Sequence, residues 1–168
     1  MFKIFKEKVK QEDIMYITTT TDASRIASMH KLFHDAHVEL HPTIFKPFEL
    51  HAMEQHFQAL VKQPTHSFFL LYHDEHTPIG YAWVEWMERA ETPFMFAQKT
   101  MFIHQISIED DYRGNGNGNM LLNHITEEAK KRNFLRIELS YWLTNFGAKY
   151  FYRKHDFIPF AERVYKQL

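Results

Sequence analysis

Cysteine is absent from this 168-residue chain, and glycine is scarce, at five residues. Without cysteine there is no disulfide scaffold, no thiolate metal site and no cysteine nucleophile. A charge excess of either sign is missing too: 20 Lys and Arg against 21 Asp and Glu leave a formal net charge of -1. That balance carries no global footprint for nucleic acid or an anionic membrane, and neither is expected as a partner. The longest apolar runs are short, such as Phe68 to Tyr72, so no segment reads as a bilayer span. The N-terminal MFKIFKEKVKQ mixes charged and apolar residues and lacks the apolar region of a secretory signal. A soluble, cytoplasmic protein is expected.

What is present is a globular composition, 45% apolar, in a length that suits one domain over residues 1–168. Ile14 to Thr19 reads as a strand, and Asp22 as the cap of a helix whose apolar positions Ile26, Met29, Phe33, Ala36 and Leu40 recur at spacings of three and four. Pro42 ends it. A second helix is expected from Pro47 and Phe48 to about Lys62. Ser67 to Tyr72 and Ile79 to Glu88 form a hairpin across the turn-rich His73 to Pro78. Thr100 to Ile108 is a further strand, Met120 to Lys131 a helix, Leu135 to Tyr141 a strand and Phe146 to Lys154 a short helix. Phe157 to Gln167 is expected to add one or two strands. The order is that of an α/β protein with a central mixed, twisted sheet of about 6–7 strands and helices on both faces.

Three of the five glycines fall within Gly114, Gly116 and Gly118, between a strand and a helix. Such a junction can bind phosphate, because the first N–H groups of a helix lack internal partners and glycine lets a phosphate approach the backbone. Arg113 adds a cation at the loop entrance. The spacing is neither a Walker loop nor the dinucleotide fingerprint G-x-G-x-x-G. An ordinary Gly/Asn turn is the plain alternative.

The run Arg113-Gly114-Asn115-Gly116-Asn117-Gly118 resembles the Q/R-x-x-G-x-G/A signature of the GNAT superfamily of N-acetyltransferases. Downstream, Asn145, Ala148 and Phe151 to Phe157 are similar to that family's N-x-x-A-x-x-F/L-Y-x-K-x-G-F motif, with Asp156 where the family has glycine. Asp tolerates the left-handed backbone needed there better than most side chains. The resemblance implies a GNAT fold and direct transfer of acetyl from acetyl-coenzyme A to a primary amine. A non-catalytic acyl-coenzyme A-binding or protein-interaction module on the same fold is the alternative.

The resemblance also implies roles. Backbone amides of Arg113, Gly114, Asn115, Gly116, Asn117, Gly118 and Asn119 hold the pyrophosphate. The backbone of Ile106, Ser107 and Ile108 pairs with the pantetheine arm like an added strand, and Asn145 contacts the same arm. Tyr152 faces the sulfur and protonates the departing thiolate. His104 is the candidate base for the amine, with Glu85, Glu138 or water as alternatives. Strand alternation places His104 with Ile106 and Ile108 on one face, and Ile103, Gln105 and Ser107 on the other. The acceptor is a small-molecule or peptide amine, no metal is expected, and a homodimer is admitted.

Two groups stand apart. His30, His34, His37 and His41 share one helical face. Imidazoles four apart can chelate a metal, yet no HExxH motif accompanies them, and the row reads as a solvated polar face. Tyr81, Trp83, Trp86, Phe94 and Phe96 read as core and hairpin packing.

Overall fold

Short apolar runs and amphipathic stretches alternate along the chain and build its strands and helices. The computed structural model describes residues 15–168; Ile14 and the charged N-terminal stretch lie outside the described residues. The order is β1 (Tyr16–Thr19), α1 (Ala23–Leu40), α2 (Leu50–Leu60), β2 (His66–Tyr72), β3 (Pro78–Arg89), β4 (Gln98–Ile108), a 3-10 turn at Asp110–Tyr112, α3 (Asn117–Lys131), β5 (Arg136–Leu139) and α4 (Phe146–Lys154). The five strands lie side by side in sequence order. The β1–β2, β2–β3 and β3–β4 pairs are antiparallel, while β4 and β5 are joined through α3, the helical crossover that parallel neighbours require.

The expected count of 6–7 strands falls to five among the described residues, because residues 157–167 form no strand. Ile158, Phe160, Val164 and Tyr165 have strand-forming side chains but stand exposed, and propensity without burial on a sheet face makes no strand. Two compact units emerge, one reaching Glu138 and the other running from Leu139 to Leu168.

Side-chain chemistry sets the helix ends. Asp22 caps α1 by accepting from the Arg25 N–H at 3.0 Å, and Glu49 caps α2 by accepting from the Ala52 N–H, so α2 starts at Leu50 rather than at the expected Pro47 and Phe48. At Asp156 φ is 63°, the left-handed turn anticipated from the Asp-for-Gly exchange.

The sheet has a core on each face. Ile26, Ala27 and Met29 of α1 and Phe57 of α2 pack on Phe68, Leu70, Tyr81 and Trp83. On the other face lie Leu121, Leu122 and Ile125 of α3, all buried. Burying each such side chain stabilises the fold by about 1.5–3 kcal/mol. The aromatic group divides: Tyr81 and Trp86 are buried, but Phe94 and Phe96 are exposed at 84% and 85%, so the hairpin tip carries them outside the core.

The histidine row is not a solvated face. His34 is buried and its Nε2 meets the Lys46 carbonyl at 2.8 Å. His37 donates from Nδ1 to the Phe33 carbonyl and packs 4.0 Å from the Phe33 ring. His30 Nδ1 lies 2.5 Å from the hydroxyl of the fully buried Tyr81. The 3.6-residue period aligned these rings, and the α1–α2 connection with Phe45 and Phe48 folded over them.

Two predictions follow from this packing. An added Cβ at Gly80 would sit 2.5 Å from Ile108 Cδ1 and 2.8 Å from the Ser107 carbonyl. Gly80→Ala should therefore lower the unfolding free energy by about 1–3 kcal/mol in a urea titration; an unchanged midpoint would contradict the close approach. Burial, aided by His34, pulls the His30 pKa down to about 4. Between about pH 6.5 and 4 the unfolded chain binds a proton at His30 that the folded one refuses, so stability falls as pH falls. The loss attributable to His30 is roughly 3 kcal/mol. Urea titrations at pH 7 and 4.5 should show a smaller acid loss for His30→Gln than for wild type, and equal losses would refute this.

Candidate active site

The route from β4 to α3 is built by the backbone. Gly114 and Gly116 adopt φ of 80° and 84°, the left-handed region, where no other residue type is equally at ease. Gly116 is the N-cap of α3 and supplies no capping side chain, so the helix opens at Asn117, three residues before the expected Met120. The first-turn N–H groups lack a side-chain cap and sit at the positive end of the helix.

Arg113 does not stand clear at the entrance. Its Nε donates to the Ile108 carbonyl at 2.9 Å and its Nη1 lies 2.6 Å from Asp110, so its charge braces the turn. Asn117 is buried and donates from Nδ2 to the Tyr112 carbonyl at 2.8 Å. The sequence gives it only a backbone role, because a side-chain brace to a carbonyl five residues away has no local signature.

On β4 the expected alternation breaks. Gln105 lies opposite Trp83, but the next pair is Ile103 with Val84, so His104 is an extra residue in a β-bulge. Beyond it, Ile106, Ser107 and Ile108 lie opposite Ala82, Tyr81 and Gly80. His104 therefore does not share a face with Ile106 and Ile108. It lies with Gln105 and Ser107 on the side of Tyr81, Trp83 and Glu85, while Ile106 and Ile108 join Ile103 on the α3 side. One inserted residue reverses a period-two pattern, and no local sequence signal marks it. β5 has four residues against eleven in β4, so β5 covers only part of that strand's edge.

His104 is half-buried and its Nε2 lies 2.8 Å from Glu85 Oε2. Its ring stacks on Trp83, with centroids 4.2 Å apart. His66, directly opposite Glu85 on β2, brings a second imidazole 5.9 Å from His104. Trp83 Nε1 donates to His66 Nδ1 at 3.1 Å, and burial pulls the His66 pKa down. His66 was not singled out from the sequence, although the short β2–β3 hairpin sets its register against Glu85. The ligand-type atoms of His66, Glu85 and His104 lie within 4.8 Å of one another, the spacing a divalent cation would use. Here, however, the Trp83 N–H is directed at the His66 Nδ1 lone pair, and His104 Nε2 is engaged with Glu85 as a hydrogen donor. The third candidate base, Glu138, is paired with Arg136 at 2.5 Å. An open groove of about 450 Å³ lined by Thr65, Trp86, Arg132 and Phe134 contains none of these residues.

Within the second unit, Asn145 Oδ1 caps α4 by accepting from Ala148 at 3.0 Å, which leaves Nδ2 as its group for a ligand. Tyr152 is buried against Tyr141, Phe151 and Phe157. Burial pushes its pKa up to about 12, so the phenol keeps its proton at any ordinary pH.

A bulged strand, a left-handed glycine turn and an uncapped helix start define an α/β protein with a junction suited to a phosphate-bearing ligand. Residues 26–157 match the acetyltransferase (GNAT) family, and the chain belongs to that family. Over 107 residues, 61% of this chain, it is 31% identical to an uncharacterized N-acetyltransferase of Methanocaldococcus jannaschii; the match spans 43% of that relative's length. A tetramutant of the BH1408 protein from Bacillus halodurans has the same fold, with a TM-score of 0.83 at 24% identity, covering 92% of this chain and 99% of that one. A predicted acetyltransferase from Clostridium acetobutylicum, solved with acetyl-CoA, gives a TM-score of 0.70 at 18% identity over 92% of this chain and 96% of its own. No helix among the described residues is long and apolar enough to cross a membrane.

Proposed function

We propose that the chain moves the acetyl group of acetyl-coenzyme A directly to a primary amine. The observation that carries this reading is the β4–α3 junction, where two left-handed glycines lead into an uncapped helix start. Amides of residues 113–119 would receive the pyrophosphate. The backbone of Ile106, Ser107 and Ile108 and the Nδ2 of Asn145 would receive the pantetheine arm. The solved relative with acetyl-CoA supports the choice of ligand.

The cosubstrate supplies a thioester, an activated acyl group that needs no enzyme nucleophile. Two proton transfers are left to the protein. An alkylamine of pKa near ~10.4 is free base in only about one molecule in 2,500 at pH 7, and His104 would take its proton, directly or through a water. Tyr152 would give a proton to the departing thiolate, and a phenol that burial keeps protonated suits that role. The acceptor is a small-molecule or peptide amine; coenzyme A release across a panel of amines identifies which.

Two outcomes are expected. Acetyl-CoA at about 100-fold its Kd should stabilise the protein by roughly 2.7 kcal/mol in thermal melts. Gly116→Val should abolish that shift, because it strains a φ of 84° and places a side chain where phosphate must approach. No shift for wild type at millimolar ligand would overturn the reading. Tyr152→Phe should lower kcat at least about tenfold with KM for acetyl-CoA nearly unchanged, since the ring keeps its packing. A kcat within about twofold of wild type, with chemistry rate-limiting, would leave Tyr152 as a packing residue and favour a different acid.

A further inference from the structure

Three alternate positions of β3 each hold one histidine. Tyr81 holds His30 through its hydroxyl, Trp83 holds His66 through its indole N–H, and Glu85 holds His104 through its carboxylate. The three holders differ in chemistry. A hydroxyl and an indole can each present a hydrogen to an imidazole, whereas an ionised carboxylate can only accept.

At His66 the consequence is strict. An indole N–H only donates, so His66 Nδ1 must carry a lone pair and the ring's proton sits on Nε2. Protonating His66 would set Nδ1–H against the Trp83 N–H, two donors face to face at 3.1 Å. At His104 the logic reverses. Nε2 bears the hydrogen given to Glu85, 2.8 Å away, and Nδ1 carries the lone pair. The rings are 5.9 Å apart, too close for both to be charged without cost.

We propose that Trp83 and Glu85 divide this imidazole pair, Trp83 holding His66 neutral while Glu85 makes His104 the ring that accepts a proton, at Nδ1. The division rests on hydrogen-bond geometry; its use in catalysis rests on the reading of His104 as the amine's base. In that step the amine N–H bond breaks, its electron pair stays on nitrogen, and an Nδ1–H bond forms on His104. Glu85 is then a positioning residue for His104, and Trp83 acts through His66. Glu85 also faces His66 and its charge favours a proton there, but burial of His66 is the larger effect and pushes in the same direction as Trp83. The other titratable group facing the pair is His56 of α2, whose ring lies 6.4 Å from Trp83 and whose charge would further oppose a proton on His66.

The test is a pH titration of 15N-histidine-labelled protein by NMR, which reads tautomer and protonation without any acceptor. In wild type, His104 should carry its neutral-form proton on Nε2, and His66 should stay neutral to at least about one pH unit below the His104 midpoint. Trp83→Phe keeps an aromatic ring against His104 but removes the N–H, and should raise the His66 midpoint by about one unit. Glu85→Gln should lower the His104 midpoint by about one unit. It should also shift the acid limb of kcat/KM by the same amount on any verified amine. A wild-type His66 that protonates before His104, or a His104 with its neutral-form proton on Nδ1, would overturn the division, and neither result depends on a variant folding. Failure of the base assignment looks different: the NMR midpoints would move as stated while the acid limb of kcat/KM stayed in place.

Discussion

Much of this molecule's chemistry depends on one extra residue in β4. With His104 outside the β3–β4 register, the residues before and after it change faces relative to a regular strand. Ile106 and Ile108 turn toward α3, where Ile108 Cδ1 and Leu121 Cδ1 crowd the side of Gly80 that has no Cβ. That packing fixes the end of β4 from which the glycine turn departs. His104 meanwhile turns toward Trp83 and Glu85. In a flat, regular β4, His104 and Ile106 would share a face, so either the imidazole would enter the apolar α3 core, where an unpaired one is costly, or Ile106 and Ile108 would lie among the histidines.

A second constraint concerns how polar groups enter a half-buried sheet face. Tyr81, Trp83 and Glu85 lie on one side of β3, and each meets an imidazole from a different element: α1, β2 and β4. Each pairing satisfies a group that burial would otherwise penalise. Each also sets a protonation state, so the same hydrogen bonds that complete the core distribute charge across it. His30 at a pKa of about 4 and Tyr81, pushed well above the usual phenol range by burial, are both neutral in the folded protein.

The glycine junction follows a different rule. Its function would come from backbone amides, so side chains there serve to hold shape: Arg113 and Asn117 both point back to carbonyls, of Ile108 and Tyr112. Left-handed φ at Gly114 and Gly116 and an α3 cap without a side chain leave an anion-ready helix start. Asn145 shows the same economy on α4, with one amide atom capping the helix.

The sequence by itself determined the features carried by local chemistry. Asp22 as a cap, α4 at Phe146 to Lys154, the left-handed Asp156 and the strand–glycine–helix junction are each encoded within a few residues, and the glycine run with the Asn145 to Phe157 motif pointed to the family. Tertiary structure decided what depends on residues far apart in the chain. Period counting aligned His30, His34 and His37 but could not show that Phe45, Phe48 and Tyr81 enclose them. Alternation placed His104 on a face, and a bulge that only pairing with β3 reveals put it on the opposite one. The strand expected near the C-terminus had strand-forming side chains, yet residues 157–167 form no strand. A helix cap is a contact between near neighbours, whereas burial, register and protonation state are properties of whatever the rest of the chain brings alongside.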